Sequence, residues 1–179
     1  AKLVEAAKKE GEVTFYSSMN LNKCTDLVQK FKKKYPFMKT DLLRLQAEGI
    51  LVKVLAESKA KRRIADVIMN GGFSMHITKK EGLLMKYIPP ESKAFPEGFK
   101  DPEGYWTDTF VTTNVLIYNT RSISPKEFPT KSHDDLLQPK WMGKIGMESL
   151  PIDWFIQTLK FMGEKRGVEF MHKLAQQKP

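Results

Sequence analysis

The sequence predicts an α/β protein with a parallel sheet, organised as two α/β units. Three observations carry this. Helical apolar repeats alternate with short β-rich runs over the first eighty or so residues. A stretch rich in proline and glycine, from Ile88 to Trp106, then breaks the pattern. Beyond it, Pro139-Lys140-Trp141-Met142-Gly143-Lys144-Ile145-Gly146-Met147 reads as a helix stop, an aromatic anchor, a glycine turn and a strand. Strands that alternate with helices form parallel sheets covered on both faces.

In order, residues 1–10 read as a short helix stopped by Gly11, and Val13 to Tyr16 as a strand. Leu21, Cys24, Leu27, Val28 and Phe31 recur at helical spacing, and Pro36 helps end that helix. Lys39 to Leu45 is a second strand, followed by the apolar pattern of Ile50, Leu51, Val54 and Leu55. Ala65 to Met69 is a third strand with a continuous apolar core. Pro89, Pro90, Pro96, Pro102, Gly98 and Gly104 give the next segment loop chemistry. Phe110 to Asn119 is the longest strand signal. Units of 1–107 and 108–179 follow from a boundary there. A helix from about Ser132 stops at Pro139, Lys144–Met147 is a strand, and two helices near 153–164 and 168–176 are separated by Gly163 and Gly167.

The charge is uneven. Residues 1–100 hold 20 Lys and Arg against 11 Asp and Glu, whereas 101–179 hold 10 of each. Basic clusters at Lys30–Lys34 and Lys59–Arg63 suit helix C-termini, where the dipole favours cations. Aromatics do not interleave with them as nucleic-acid stacking requires, so no nucleic-acid partner is expected. The single cysteine, Cys24, sits on an apolar helical face and permits no internal disulfide. No apolar run reaches membrane-span length.

In open parallel sheets a ligand sits beyond the carboxyl ends of the strands, where helix N-termini present unpaired N–H groups. That rule selects Ser17, Ser18, Met19 and Asn20 after the first strand, and Asn70 and Gly71 after the third. In the second unit it selects Glu148 and Ser149, then Asp153 where the next helix opens. Each is also an ordinary cap or turn residue. Serine hydroxyls and glycine-flanked amides favour an anionic or oxygen-rich solute, and Glu148 opposes it. No nucleophile elbow, P-loop, dinucleotide glycine motif or metal-ligand spacing occurs. Asp66 begins a buried strand and reads as structural. No catalytic residue, metal ligand or cofactor is therefore expected.

Three stretches resemble the bacterial extracellular solute-binding proteins, the soluble receptors of ABC importers. They are Ala6-Ala7-Lys8-Lys9-Glu10-Gly11 with Val13 to Ser18, Ala65-Asp66-Val67, and Asp135-Leu136-Leu137 with Pro139-Lys140-Trp141 and Gly143-Lys144-Ile145. The iron(III)- and phosphate-ester-type branch is the most similar. The resemblance implies a type II periplasmic-binding-protein-like fold of two α/β lobes with a hinge, the second lobe incomplete because family members are considerably longer. It implies capture of a small solute, a membrane permease as partner, transport without covalent chemistry, and a periplasmic or extracellular location with the signal peptide removed. A dimer through the incomplete lobe is a further expectation. Tyr105 and Trp106 lie where the family carries aromatics, and either line the cleft or anchor the hinge. The ferric receptors of the family place a histidine near the position of Asn20, so a ferric-iron receptor stands as the alternative. An enzyme on a similar scaffold is the other class.

Overall fold

A computed structural model describes residues 2–111, 113–128, 132–149 and 151–179. The chain divides into two compact units, Ala1–Thr109 and Phe110–Pro179.

The first unit opens with α1 (Lys2–Glu10) and β1 (Glu12–Ser17), followed by α2 (Leu21–Lys34) and β2 (Lys39–Arg44). Then come α3 (Ala47–Lys59), β3 (Val67–Met69) and α4 (Gly72–Lys80). The three strands form one parallel sheet in the order β2-β1-β3. Gly11 turns α1 into β1 at φ +75°, a region that only glycine enters without strain. Its carbonyl accepts from Lys39 N–H at 2.8 Å, so the same turn sets the start of β2. The core packs Tyr16, Ile50 and Val54 with Leu43, Leu45, Ile68 and Leu83. Burying each such aliphatic side chain stabilises the unit by about 1.5–3 kcal/mol. The Tyr16 hydroxyl donates to Glu57 Oε1 at 2.9 Å, and Lys53 pairs with the same carboxylate at 2.8 Å. Asp66 has the structural place anticipated for it. Its Oδ2 accepts from Thr14 N–H at 2.8 Å and its own N–H donates to Thr14 O, which fixes the start of β3 against β1. The third strand is shorter than expected, and Val67 is half exposed because β3 forms the sheet edge.

After α4 the chain forms a 3₁₀ turn over Pro90–Ala94 and a small hairpin closed by the antiparallel bridge Lys100–Thr107. Lys79, in the last turn of α4, pairs with buried Asp101 at 2.8 Å and Glu103 at 3.3 Å, which ties this loop to the helix.

The second unit holds α5 (Ile152–Met162) and α6 (Glu164–Gln176). Its core is Leu136, Phe170 and Leu174 packed with Ile145, Trp154, Met162 and Met171. The helix expected from Ser132 is instead a 3₁₀ turn, His133–Leu137, held by a capping box between Ser132 and Asp135. A second 3₁₀ turn, Pro139–Trp141, follows at once, since Pro139 removes the N–H a continuing helix needs. Trp141 is buried, and Gly143, at φ +67°, donates to Gln177 O at 2.7 Å. The motif that marks the sequence is thus a clasp on the C-terminal end of α6. Two expected strands require correction. Neither the described residues of 110–119 nor 144–147 pair in a sheet. A β-prone run becomes a strand only with a partner for its backbone, and these find none among the described residues.

Candidate functional site

The carboxyl ends of the three parallel strands and the starts of α2, α3 and α4 lie at one end of the first unit, as a βαβαβ connection dictates. Ser17 and Arg44 are opposite one another at the ends of β1 and β2, and Ser17 is opposite Met69 at the end of β3.

The sequence candidates take different places on this end. Ser17 is fully buried, and its Oγ accepts from Met19 N–H at 3.2 Å and lies 3.2 Å from the Cys24 thiol. It shapes the loop rather than facing solvent. Ser18 is half-buried, with its N–H and hydroxyl both directed to Met69 O, at 3.0 and 3.5 Å. Asn20 caps α2 through Oδ1, which accepts from Asn22 N–H at 3.0 Å. Asn70 is a brace, its Nδ2 donating to Ala47 O and its Oδ1 accepting from Gly71 N–H, both at 2.9 Å. Gly71 is the N-cap of α4 and Gln46 that of α3, and neither end has a side-chain cap. The first-turn N–H groups of α3 and α4 therefore remain open to an acceptor.

Sequence reasoning missed Arg44. Its Nε donates to Met19 O at 3.1 Å, and Nη2 reaches Ser18 O and Gln46 Oε1 at 3.4 Å each. It has no carboxylate partner among the described residues, so a half-buried guanidinium stands uncompensated beside two open helix N-termini. Planar guanidinium groups bind carboxylates and phosphates in a bidentate fork. The strand-end rule finds Arg44 when applied to the second strand, where Asp41-Leu42-Leu43-Arg44 ends.

Tyr105 and Trp106 stand elsewhere. The Lys79 ammonium lies 5.0 Å from the Tyr105 ring centroid, at the C-terminal end of α4. Gly71 is at the other end of that helix, about 12 Å away at 1.5 Å per residue. The Lys79–Asp101 pair folds the proline-rich loop back over this far end. The hydrogen bond to Asp101 raises the pKa of Lys79. Burial pushes the Asp101 carboxyl up, but hydrogen bonds from Lys79 and Tyr105 N–H outweigh it and hold the pKa below the usual range.

In the second unit Glu148 and Ser149 are exposed, and Asp153 is exposed in the first turn of α5. Leu150 lies outside the described residues. Among the described residues no three His, Cys, Asp or Glu side chains gather as a metal would need, and no helix is long and apolar enough to cross a membrane.

No curated protein sequence matches the chain. Solved structures do. Iron-bound HitA from Pseudomonas aeruginosa aligns with a TM-score of 0.78 at 22% identity, over 92% of this chain and 54% of that one. Trichodesmium IdiA (FutA), in complex with iron and citrate, gives 0.72 at 20% identity, over 93% and 53%. The ferric binding protein of Campylobacter jejuni gives 0.69 at 17% identity, over 92% and 53%. The fold is therefore that of the type II periplasmic binding proteins, and the chain spans about half the length of these structures. The sequence profile described as "Bacterial extracellular solute-binding protein" matches residues 62–178, well over half of the chain. The chain belongs to the bacterial extracellular solute-binding protein family.

Proposed function

We propose that the protein is the solute-binding receptor component of an ABC importer, active outside the cytoplasmic membrane and delivering its solute to a membrane permease. It binds and releases, with no covalent step. In this reading Glu148, Ser149 and Asp153 are what the second unit, Phe110–Pro179, contributes to solute binding. Family membership supports the receptor reading.

The solute is a small oxygen-rich anion. The observation that carries this is Arg44, a guanidinium with no carboxylate partner among the described residues at the strand ends. The open N-termini of α3 and α4 add donors for the same charge. Ser18 and Asn20 flank the anion, while Ser17, Met19, Asn70 and Gly71 hold the loops that receive it.

A second reading is capture of ferric iron with its accompanying anion. Two solved relatives favour it, one iron-bound and one holding iron and citrate. Calorimetry of the 179-residue chain against citrate, glycerol phosphate, ferric citrate and spermidine separates the readings. The anion reading predicts heat from citrate or glycerol phosphate alone. Binding of ferric citrate without binding of metal-free citrate selects the iron reading. Binding of spermidine alone overturns both.

A further inference from the structure

The hairpin at the far end of α4 builds a cavity that the strand-end surface does not use. It is a partly open cleft of about 230 Å³ lined in part by Tyr87, Ile88, Lys93, Lys100, Asp101 and Trp106. We propose that this cavity is a second ligand site, taking a small planar anion such as a single ring bearing one acidic group.

The backbone around it is firmly set. Tyr87 N–H donates to Gly104 O at 2.8 Å, Asp101 N–H to Trp106 O at 3.0 Å, and Asp108 N–H to Phe99 O at 2.9 Å. Gly104 sits at φ +84°, and a Cβ there would come within 2.6 Å of Ile88 Cγ1. The hairpin thus closes directly on the segment that carries Tyr87 and Ile88. Those two side chains are 53% and 59% exposed, and Trp106 is half-buried. Together they make a largely apolar, partly open lining that includes two aromatic rings, Tyr87 and Trp106, on which an aromatic ligand can stack.

The charges point to an anion. Asp101 is the acidic wall residue, and it is already committed to Lys79 Nζ at 2.8 Å and Tyr105 N–H at 3.0 Å. Lys100 donates to Ser92 O at 3.2 Å, which leaves further ammonium protons. Neither Lys93 nor Lys100 has a carboxylate partner among the described residues. Two uncompensated cations therefore border apolar walls, with the local carboxylate neutralised. The size limits the ligand, since drug-sized molecules occupy cavities of about 300–1,000 Å³.

The experiment is an NMR titration of the whole chain with benzoate and with its neutral isostere benzamide. The indole N–H resonance of Trp106 is read, assigned through W106F. Benzoate is expected to shift that resonance saturably. Benzamide should bind at least about tenfold more weakly, the cost of losing a charge-assisted contact. The pair of substitutions K93Q and K100Q should weaken benzoate by at least about tenfold with an unchanged circular dichroism spectrum. R44Q should leave the benzoate shift unaltered, which keeps this site separate from the strand ends. No saturable shift overturns the proposal. So do equal affinities for the two probes, undiminished binding by the folded double-lysine variant, or loss of benzoate binding in R44Q.

Discussion

Asp101 shows how one carboxylate can organise a loop. It is 8% exposed and accepts from Lys79 and from Tyr105 N–H. Its folded pKa lies below the unfolded value. Such a group contributes stability that is present above the unfolded pKa and is lost as pH falls through the folded one. The chain is therefore expected to lose stability as pH drops below about 4. D101N should show a shallower acid slope in urea unfolding from pH 7 to pH 3, and equal slopes would contradict this role. Little of it was legible in advance. The sequence marked the stretch only as loop, because the Lys79–Asp101 pair depends on how the loop lies on α4. Ser17 and Arg44 show the converse. Both stand at strand ends that periodicity locates, but which of them is buried depends on the neighbouring Cys24 thiol and the path of Met19.

Among the elements, α1, α2, α3 and the three strands of the first unit were legible in the sequence, whereas α4 (Gly72–Lys80) was not, since its short apolar pattern between Gly72 and Lys80 gives no clear helical repeat. The α5–α6 pair depends on a tighter feature. Gly167 is buried, and a Cβ there would lie 2.9 Å from Leu159 Cα and 2.7 Å from Leu159 Cδ2. Alanine gains about 1 kcal/mol in helix propensity over glycine, while overpacking costs about 1–3 kcal/mol. The clash involves backbone, which cannot swing aside, so sterics should win. G167A is expected to lower stability, by up to about 2 kcal/mol, in chemical denaturation. A stabilised G167A would show that the two helices are looser than the structure has them. The sequence identified Gly167 only as a helix breaker, yet it lies within α6. Close helix packing favours glycine as strongly as a chain turn does. The expected strands at 110–119 and 144–147 failed for a different reason. Residue preference is local, but a sheet partner is not.

At the scale of the whole molecule, the chain spans about half the length of its solved relatives and leaves a strand-prone segment unpaired. Residues 113–118 form no backbone hydrogen bond among the described residues, and Val115 and Ile117 are 71% and 87% exposed. Unpaired backbone beside exposed apolar side chains favours association with another chain. Sedimentation velocity should detect concentration-dependent self-association that I117K reduces. A monomer at every concentration would mean that this segment is covered in some other way. The membership of the second unit in the family was legible in the clasp from Pro139 to Gly146, whereas a binding role for Glu148, Ser149 and Asp153 was not, because these residues are exposed and have no conformation peculiar to a ligand site.

Arg44 is proposed to hold an oxygen-rich anion at the strand-end surface. The most direct measurement is calorimetry of citrate and glycerol phosphate binding to the chain and to its R44Q variant. Removing a charge-assisted hydrogen bond of about 1.5–3 kcal/mol should weaken the bound anion by roughly ten- to a hundredfold, in a variant whose circular dichroism spectrum matches that of the parent. An R44Q variant that folds normally and binds the same anion with unchanged affinity would contradict the account.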